Sequence, residues 1–267
     1  MHKSVRTISS SISMRRAVMA CVLIAGLAIP SNAFGSEIKV LCTQALTAAM
    51  AKLGPQFEHE TGNKLVIIYG GTGGLVNRVK SGEASDVVIV TTSALDSMVK
   101  MGKIVDQSRT AIAQTGVGIA IRRGSPRPDI SSAGALKQTL LAAKSIAYSN
   151  PADGGTSGIV FAQVVEKLGI AEQLKPKTTL VPGGGSSGAL AASGEAEIAV
   201  QMISELMPVS GVEVVGPLPP GLQTLTVFSA GVSASAATPV AAKQLILFLS
   251  SPAAAPALRD AGLDPAK

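Results

Sequence analysis

The sequence predicts an α/β protein of two similar halves, each a mostly parallel sheet flanked by helices. Three observations predict it. Short apolar runs alternate with stretches of helical periodicity from Glu37 onward, the pattern of parallel strands covered on both faces. That pattern breaks off at a surface turn, Arg122-Arg-Gly-Ser-Pro126, and restarts near Ser145. The order strand, glycine loop, helix, Ser-Gly-Glu, strand also occurs twice, over residues 64–90 and 178–200.

Taken in order, Glu37–Cys42 reads as a strand and Thr43-Gln44-Ala45 as a short polar loop. Leu46 to Phe57 has helical spacing, and Thr61-Gly62-Asn63 closes that helix. Lys64–Ile68 is an apolar strand. A helix to about Lys80 follows its glycine loop, with Leu75, Val76 and Val79 at helical spacing. Ser81-Gly82-Glu83 breaks it, Asp86–Val90 is the next strand, and Leu95, Met98 and Val99 mark a short helix. Thr115–Ile121, rich in small residues, reads as one strand. After the turn come the strand Ser145–Tyr148, a loop to Gly158 and the helix Ile159–Leu168. Thr178–Val181 is a strand, Pro182–Gly188 a loop and Ala189–Ala192 a helix, broken at Ser193-Gly194-Glu195. Glu197–Val200 and Leu225–Val232 are strands, Val240–Leu249 is an amphipathic helix, and a last short helix and turn end near Gly262.

Three loops share one construction. Tyr69-Gly-Gly-Thr-Gly-Gly74, Asp153-Gly-Gly-Thr-Ser-Gly158 and Pro182-Gly-Gly-Gly-Ser-Ser-Gly188 each join a strand to a helix with glycines and hydroxyls. Glycine lets a ligand approach the backbone, and the helix start offers free N–H groups and partial positive charge. Repeated three times, this makes an anion site without any Lys or Arg in the loops. Asp153 is expected to cap the helix that begins near Ser157.

The first 36 residues read as a secretory signal, cleaved near residues 33–36. Lys3, Arg6, Arg15 and Arg16 form the basic region, and Ala17–Ile29 is an apolar run too short to span a bilayer. Met14 is an alternative start. The segment carries four of the 23 basic residues and none of the 17 acidic ones, so the remaining chain has a net charge of only +2. No basic block suits a nucleic acid, and with 3% aromatics and no Trp there is little to stack on bases or sugars. Only Cys42 remains after cleavage, which excludes an intrachain disulfide; it reads as a small buried hydrophobe. The only His outside the signal is His59, in the charged run Glu58-His-Glu60, so no nucleophile has a histidine partner. No Gly-Lys-Ser/Thr follows a glycine cluster, which excludes a phosphate loop of that type. No cofactor or metal set is expected.

The order and spacing of Ile38-Lys-Val-Leu41, Leu46–Met50, Leu75–Gly82 with Asp86–Ile89, and Pro151–Gly158 resemble the two-lobed periplasmic substrate-binding proteins of ABC transporters. So do Ser187-Gly-Ala-Leu190, Gly211–Val215 and Phe248-Leu-Ser-Ser-Pro252. Among these proteins the chain is similar to the molybdate-binding group. The resemblance implies a monomeric, type II periplasmic-binding-protein fold. Lobe one would hold residues 37–116 and 224–267, lobe two residues 117–223, with hinges near 114–118 and 222–226. It implies a periplasmic role, a membrane permease as partner, and an oxyanion such as molybdate or tungstate held between lobes.

Carried over by position, the first serine of that group falls near Ala45, beside Thr43 and Gln44, and the second falls on Thr72, next to Gly73. The second-lobe contacts fall on Ser157, next to Thr156, and on Ser186, next to Ser187. The group's tyrosine falls on Gln201. Ala45 and Gln201 thus differ in kind. A glutamine has donors and an acceptor, so a ligand using both ends, such as a hydroxylated organic acid, is the alternative to a bare oxyanion. The sequence reading is a solute-binding protein and not an enzyme, with a carboxylate-binding protein or a hydrolase on the same lobes as alternatives.

Overall fold

The computed structural model describes residues 35–183 and 185–266. The predicted signal segment, apart from Gly35 and Ser36, and the predicted turn residue Gly184 lie outside them. Ser36 is already part of the fold: its N–H donates to Asn63 Oδ1 at 2.8 Å and its carbonyl accepts from Lys64 N.

The chain runs β1 (Glu37–Thr43), α1 (Thr47–Thr61), β2 (Lys64–Gly70), α2 (Thr72–Lys80), β3 (Val87–Thr91) and α3 (Thr92–Lys100). Then come β4 (Thr110–Thr115), β5 (Val117–Arg122), α4 (Ala133–Ala142), β6 (Ile146–Ser149), α5 (Thr156–Lys167) and α6 (Ala171–Leu174). Next are β7 (Thr178–Val181), α7 (Ser187–Ser193), β8 (Ile198–Met202), α8 (Ile203–Leu206) and β9 (Val212–Pro217). The chain closes with β10 (Thr226–Val232), α9 (Pro239–Leu249), α10 (Ala255–Asp260) and β11 (Asp264–Pro265).

Two sheets form. One has the order β11-β4-β10-β3-β1-β2, the other β7-β6-β8-β5-β9. Both are mixed rather than mostly parallel. β1 pairs in parallel with β2 and β3, and β6 with β7 and β8, as helical crossovers require. β10 and β5 run antiparallel to all their neighbours because they carry the chain into each sheet from the other one. The predicted strand 115–121 is split for this reason. β4 belongs to the first sheet, β5 to the second, and Gly116 lies between them.

Alternation along the strands builds a layer on each face. Ile38, Val40 and Cys42 of β1 face the core under α1 and α9, with Phe57, Phe228 and Leu245, while Leu41 faces Leu75, Val79 and Met98 on the other side. In the second sheet Val117, Ile119 and Ile121 pack with Leu136, Leu140 and Phe161, and Ala120 with Ala191, Ala199 and Leu206. Cys42 is fully buried and burial pushes its thiol pKa up, so it packs as a hydrophobe.

Asp86, expected as a strand residue, is instead a junction. Its Oδ2 accepts from Lys39 N at 2.9 Å and its Oδ1 from Thr238 N at 2.8 Å, tying β1 and the start of α9 to β3. Asp86→Ala leaves two main-chain donors without partners and is expected to lower the unfolding free energy by about 3 kcal/mol. Urea denaturation checks this; an unchanged midpoint would show that these bonds contribute nothing net.

Candidate functional site

Strands of both sheets bring the loops and helix starts that follow them to one place. A cavity there is lined by Thr43, Gln44 and Ala45 after β1, and by Gly71 and Thr72 after β2. From the second sheet it receives Ser149, Gly155, Thr156 and Ser157 after β6, Gly183 and Gly185 after β7, and Gln201, Met202 and Glu205 at the end of β8. Phe228 of β10 closes it. Its volume is about 30 Å³, room for a water or two and too little for a polyatomic acid in this closed form. A wider groove of about 1280 Å³ adjoins it, and Thr72 and Thr156 line both.

Two of the helix starts are open. The residue before α2 is Gly71 and the residue before α5 is Gly155, and neither start has a side-chain cap. Their first N–H groups therefore keep donor capacity and partial positive charge for an anion. Thr72, the first residue of α2, is 9% exposed, and its Oγ1 is buried without a hydrogen-bond partner. A hydroxyl in that state carries a desolvation cost that a bound acceptor would remove. The start of α7 differs: Ser186 Oγ accepts from Ala189 N at 3.2 Å.

The predicted residues divide accordingly. Thr43, Gln44, Ala45, Thr72, Thr156, Ser157 and Gln201 come together around the cavity. Ser157 Oγ lies 3.3 Å from Ser149 Oγ. Gly73 lies in the groove, where a Cβ would come within 2.7 Å of Asp153 O and 2.9 Å of Gly154 Cα; the two halves touch through glycines. Ser186 caps α7, and Ser187, fully buried, lies behind the cavity wall. Asp153 does not cap α5. Its Oδ2 accepts from Gly183 N at 3.1 Å, because Gly154 turns the chain at φ 72° before the helix begins.

Gln201 is not free to use both ends. Its Oε1 accepts from Ser187 N at 3.0 Å and lies 3.0 Å from Ser187 Oγ, leaving the amide to donate to Gly185 O at 3.3 Å and toward Glu205. The Ser187 N–H fixes which end is the carbonyl.

Glu205 is the site residue that sequence reasoning missed. It lies on α8, four residues beyond Gln201, and its Oε2 accepts from Met202 N at 3.3 Å. Desolvation pushes its pKa up to about 7, against the opposing pull of the Met202 N–H and the Gln201 amide. The available signal was its place in the first turn after a strand that ends in the site. Among the described residues lining the cavity, Glu205 is the only ionisable side chain. Among the described residues no group of three His, Cys, Asp or Glu could hold a metal ion.

Two sheets whose strand ends meet over a cavity with open helix starts, hydroxyls and, among its described lining residues, no cation form a solute-binding cleft of the type II periplasmic-binding-protein fold. The chain belongs to the family of bacterial extracellular solute-binding proteins, which matches residues 38–264. It is 34% identical over 236 residues to aconitate isomerase of a Pseudomonas species, covering 86% of this chain and 88% of that protein. It is 30% identical over 200 residues to the molybdate-binding protein of Azotobacter vinelandii, covering 73% and 75%. The solved periplasmic molybdate-binding protein of Azotobacter vinelandii superposes with a TM-score of 0.72 at 20% identity, over 86% of this chain and all of that one.

The expectation of a protein that is not an enzyme is corrected by the first of these relatives, which is an enzyme. That expectation rested on the missing nucleophile–histidine pair.

Glu205 also sets a pH dependence of stability. The native protein holds its proton up to about pH 7, whereas an ordinary glutamate releases it near 4.5. The contribution is complete below about pH 4.5 and is lost as pH rises through 7. Glu205→Gln, which cannot ionise, is expected to gain stability relative to the wild type between pH 5 and 8, by on the order of 2 kcal/mol. Denaturation at both pH values checks it; parallel pH profiles would refute it.

Proposed function

We propose that this protein binds a small unsaturated tricarboxylate between its two halves and interconverts its cis and trans forms, as an aconitate isomerase. The observation that carries the reading is the 34% identity to such an enzyme over 86% of the chain. The site's chemistry supports it. Carboxylates are held well by neutral donors, and the cavity offers open starts of α2 and α5 with the unpartnered Thr72 hydroxyl. A charged group buried without such donors would be costly. An ionisable carboxyl in the cavity adds the capacity to move a proton.

The reaction itself needs no cofactor. The cis and trans acids differ only in the arrangement about one C=C bond, which does not rotate freely. Moving a proton from the methylene carbon to the vinylic carbon relocates the double bond, with no atoms gained or lost.

The closed cavity is too small for the substrate, so the halves must part. In this reading residues 37–116 with 224–267, and residues 117–223, move as lobes about Gly116 and the crossover before β10. Thr72, Ser157, Thr156 and the groups around Gln44 contact the ligand from both sides. The second reading is a molybdate- or tungstate-binding component of an importer with a membrane permease, favoured by the 30% identity to the Azotobacter vinelandii protein.

Calorimetry with molybdate, tungstate, sulfate and propane-1,2,3-tricarboxylate, with proton NMR of trans-aconitate incubated with the protein, separates the readings. Tricarboxylate binding and appearance of the cis isomer are expected. Sub-micromolar molybdate binding without response to the tricarboxylate would overturn the proposal. Thr72→Val is expected to weaken tricarboxylate binding by about 1–3 kcal/mol. Unchanged affinity would show that the loop after β2 is only a turn.

A further inference from the structure

We infer that the Glu205 carboxyl is the proton carrier of the reaction, taking the proton from the substrate's methylene carbon and returning it to the vinylic carbon. The assignment rests on the activity proposed above. Its basis is the composition of the cavity. Thr43, Gln44, Thr72, Ser149, Thr156, Ser157 and Gln201 supply hydroxyls and amides, which are poor proton acceptors near neutral pH. Glu205 is the only described lining residue that can accept a proton from carbon and hold it.

The carboxyl is held in place. The Met202 N–H donates to its Oε2 at 3.3 Å, and the Gln201 amide reaches it. Gln201 in turn is pinned by the Ser187 N–H and hydroxyl, each 3.0 Å from its Oε1. Gln201 and Ser187 are therefore positioning residues for Glu205. The arrangement places a proton carrier and an anion-holding set of N–H donors in one small cavity.

The electron and proton balance closes on the substrate. Ionised Glu205 forms an O–H bond as the methylene C–H bond breaks. The electron pair enters the allylic system and spreads onto the carboxylate oxygens, which the helix-start N–H groups and Thr72 stabilise. Glu205 then returns the proton to the carbon at the far end of the allylic system, and the double bond takes up its new position. No oxidant, reductant or second substrate is consumed.

The environment suits the task. β5, β8, β9, α1 and α7 pack against α8, as does the turn at Gln44–Leu46, and none brings a charge that shifts Glu205. Lys52, Glu58, His59 and Glu60 of α1, Arg122 of β5 and Glu213 of β9 are the charged or titratable residues of those elements. Desolvation alone raises the carboxyl, to about 7, where a base is half ionised and still strong at neutral pH.

The test uses the full chain and its Glu205→Gln and Glu205→Asp variants. Wild-type kcat/KM should rise with pH to a plateau above about 7, and in deuterium oxide the substrate should take up deuterium at the methylene carbon. Glu205→Gln should lose about 10²- to 10⁴-fold in kcat, while its dissociation constant for propane-1,2,3-tricarboxylate changes by less than about tenfold. Glu205→Asp should keep measurable turnover with the pH limb displaced, which also keeps the test open should the glutamine variant not fold. An active wild type whose Gln or Asp variant keeps full turnover and an unmoved pH limb would overturn the assignment alone. A wild type that binds the tricarboxylate but neither isomerises it nor exchanges its protons would overturn the assignment and the proposed activity together.

Discussion

The proposed anion site has no cation among its described lining residues and so depends on main-chain donors, and the rest of this structure follows from arranging them. A helix whose preceding residue offers no capping side chain keeps all of its first N–H groups free. Gly71 and Gly155 hold those positions ahead of α2 and α5, one from each sheet. Bringing the two starts together demands more glycine. Gly73 and Gly154 meet with no room for a Cβ on either, and a Cβ on Gly158 would lie 1.8 Å from Ser149 O. The glycines of these loops are thus spacing elements as much as turn formers.

The same arrangement needs both sheets to present their strand ends to one cavity, and therefore needs the chain to cross twice between them. Gly116 makes one crossing, and the stretch between β9 and β10 makes the other. Gln223 joins the two. Its Oε1 accepts from Val117 N at 3.1 Å and its Nε2 donates to Val117 O at 2.8 Å, imitating a strand neighbour across the junction. A Cβ on Gly116 would fall 2.4 Å from that amide nitrogen. The crossing is thus bonded as a sheet is, but through a side chain.

Much of this was legible in the sequence because it rests on local pattern. Lys64–Gly70 with its glycine loop, and Thr178–Val181 with its own, announced strand-to-helix turns, and the ordering of elements carried the family resemblance. The mixed character of the sheets was not legible, because the direction of β5 and β10 is set by which sheet the chain is entering. Asp153 read as a cap for α5, yet the turn at Gly154 sends its carboxylate to Gly183 instead. Glu205 left almost no trace, since a lone glutamate in a short helix looks like a solvated end. Only tertiary burial raises its pKa.

Under the proposed activity, Gln201 is the residue that turns the scaffold from holding an anion to acting on one. A residue at this position that reached the ligand directly would spend its donor on binding. Here the carbonyl is committed to Ser187, and the amide is directed to Gly185 O and toward Glu205. The strand end thereby supplies a support for a carboxyl rather than a contact for the ligand. In the proposed reaction the same carboxyl supplies the base for an acidic C–H, and the main-chain donors that hold the ground state take up the charge that develops when the proton leaves.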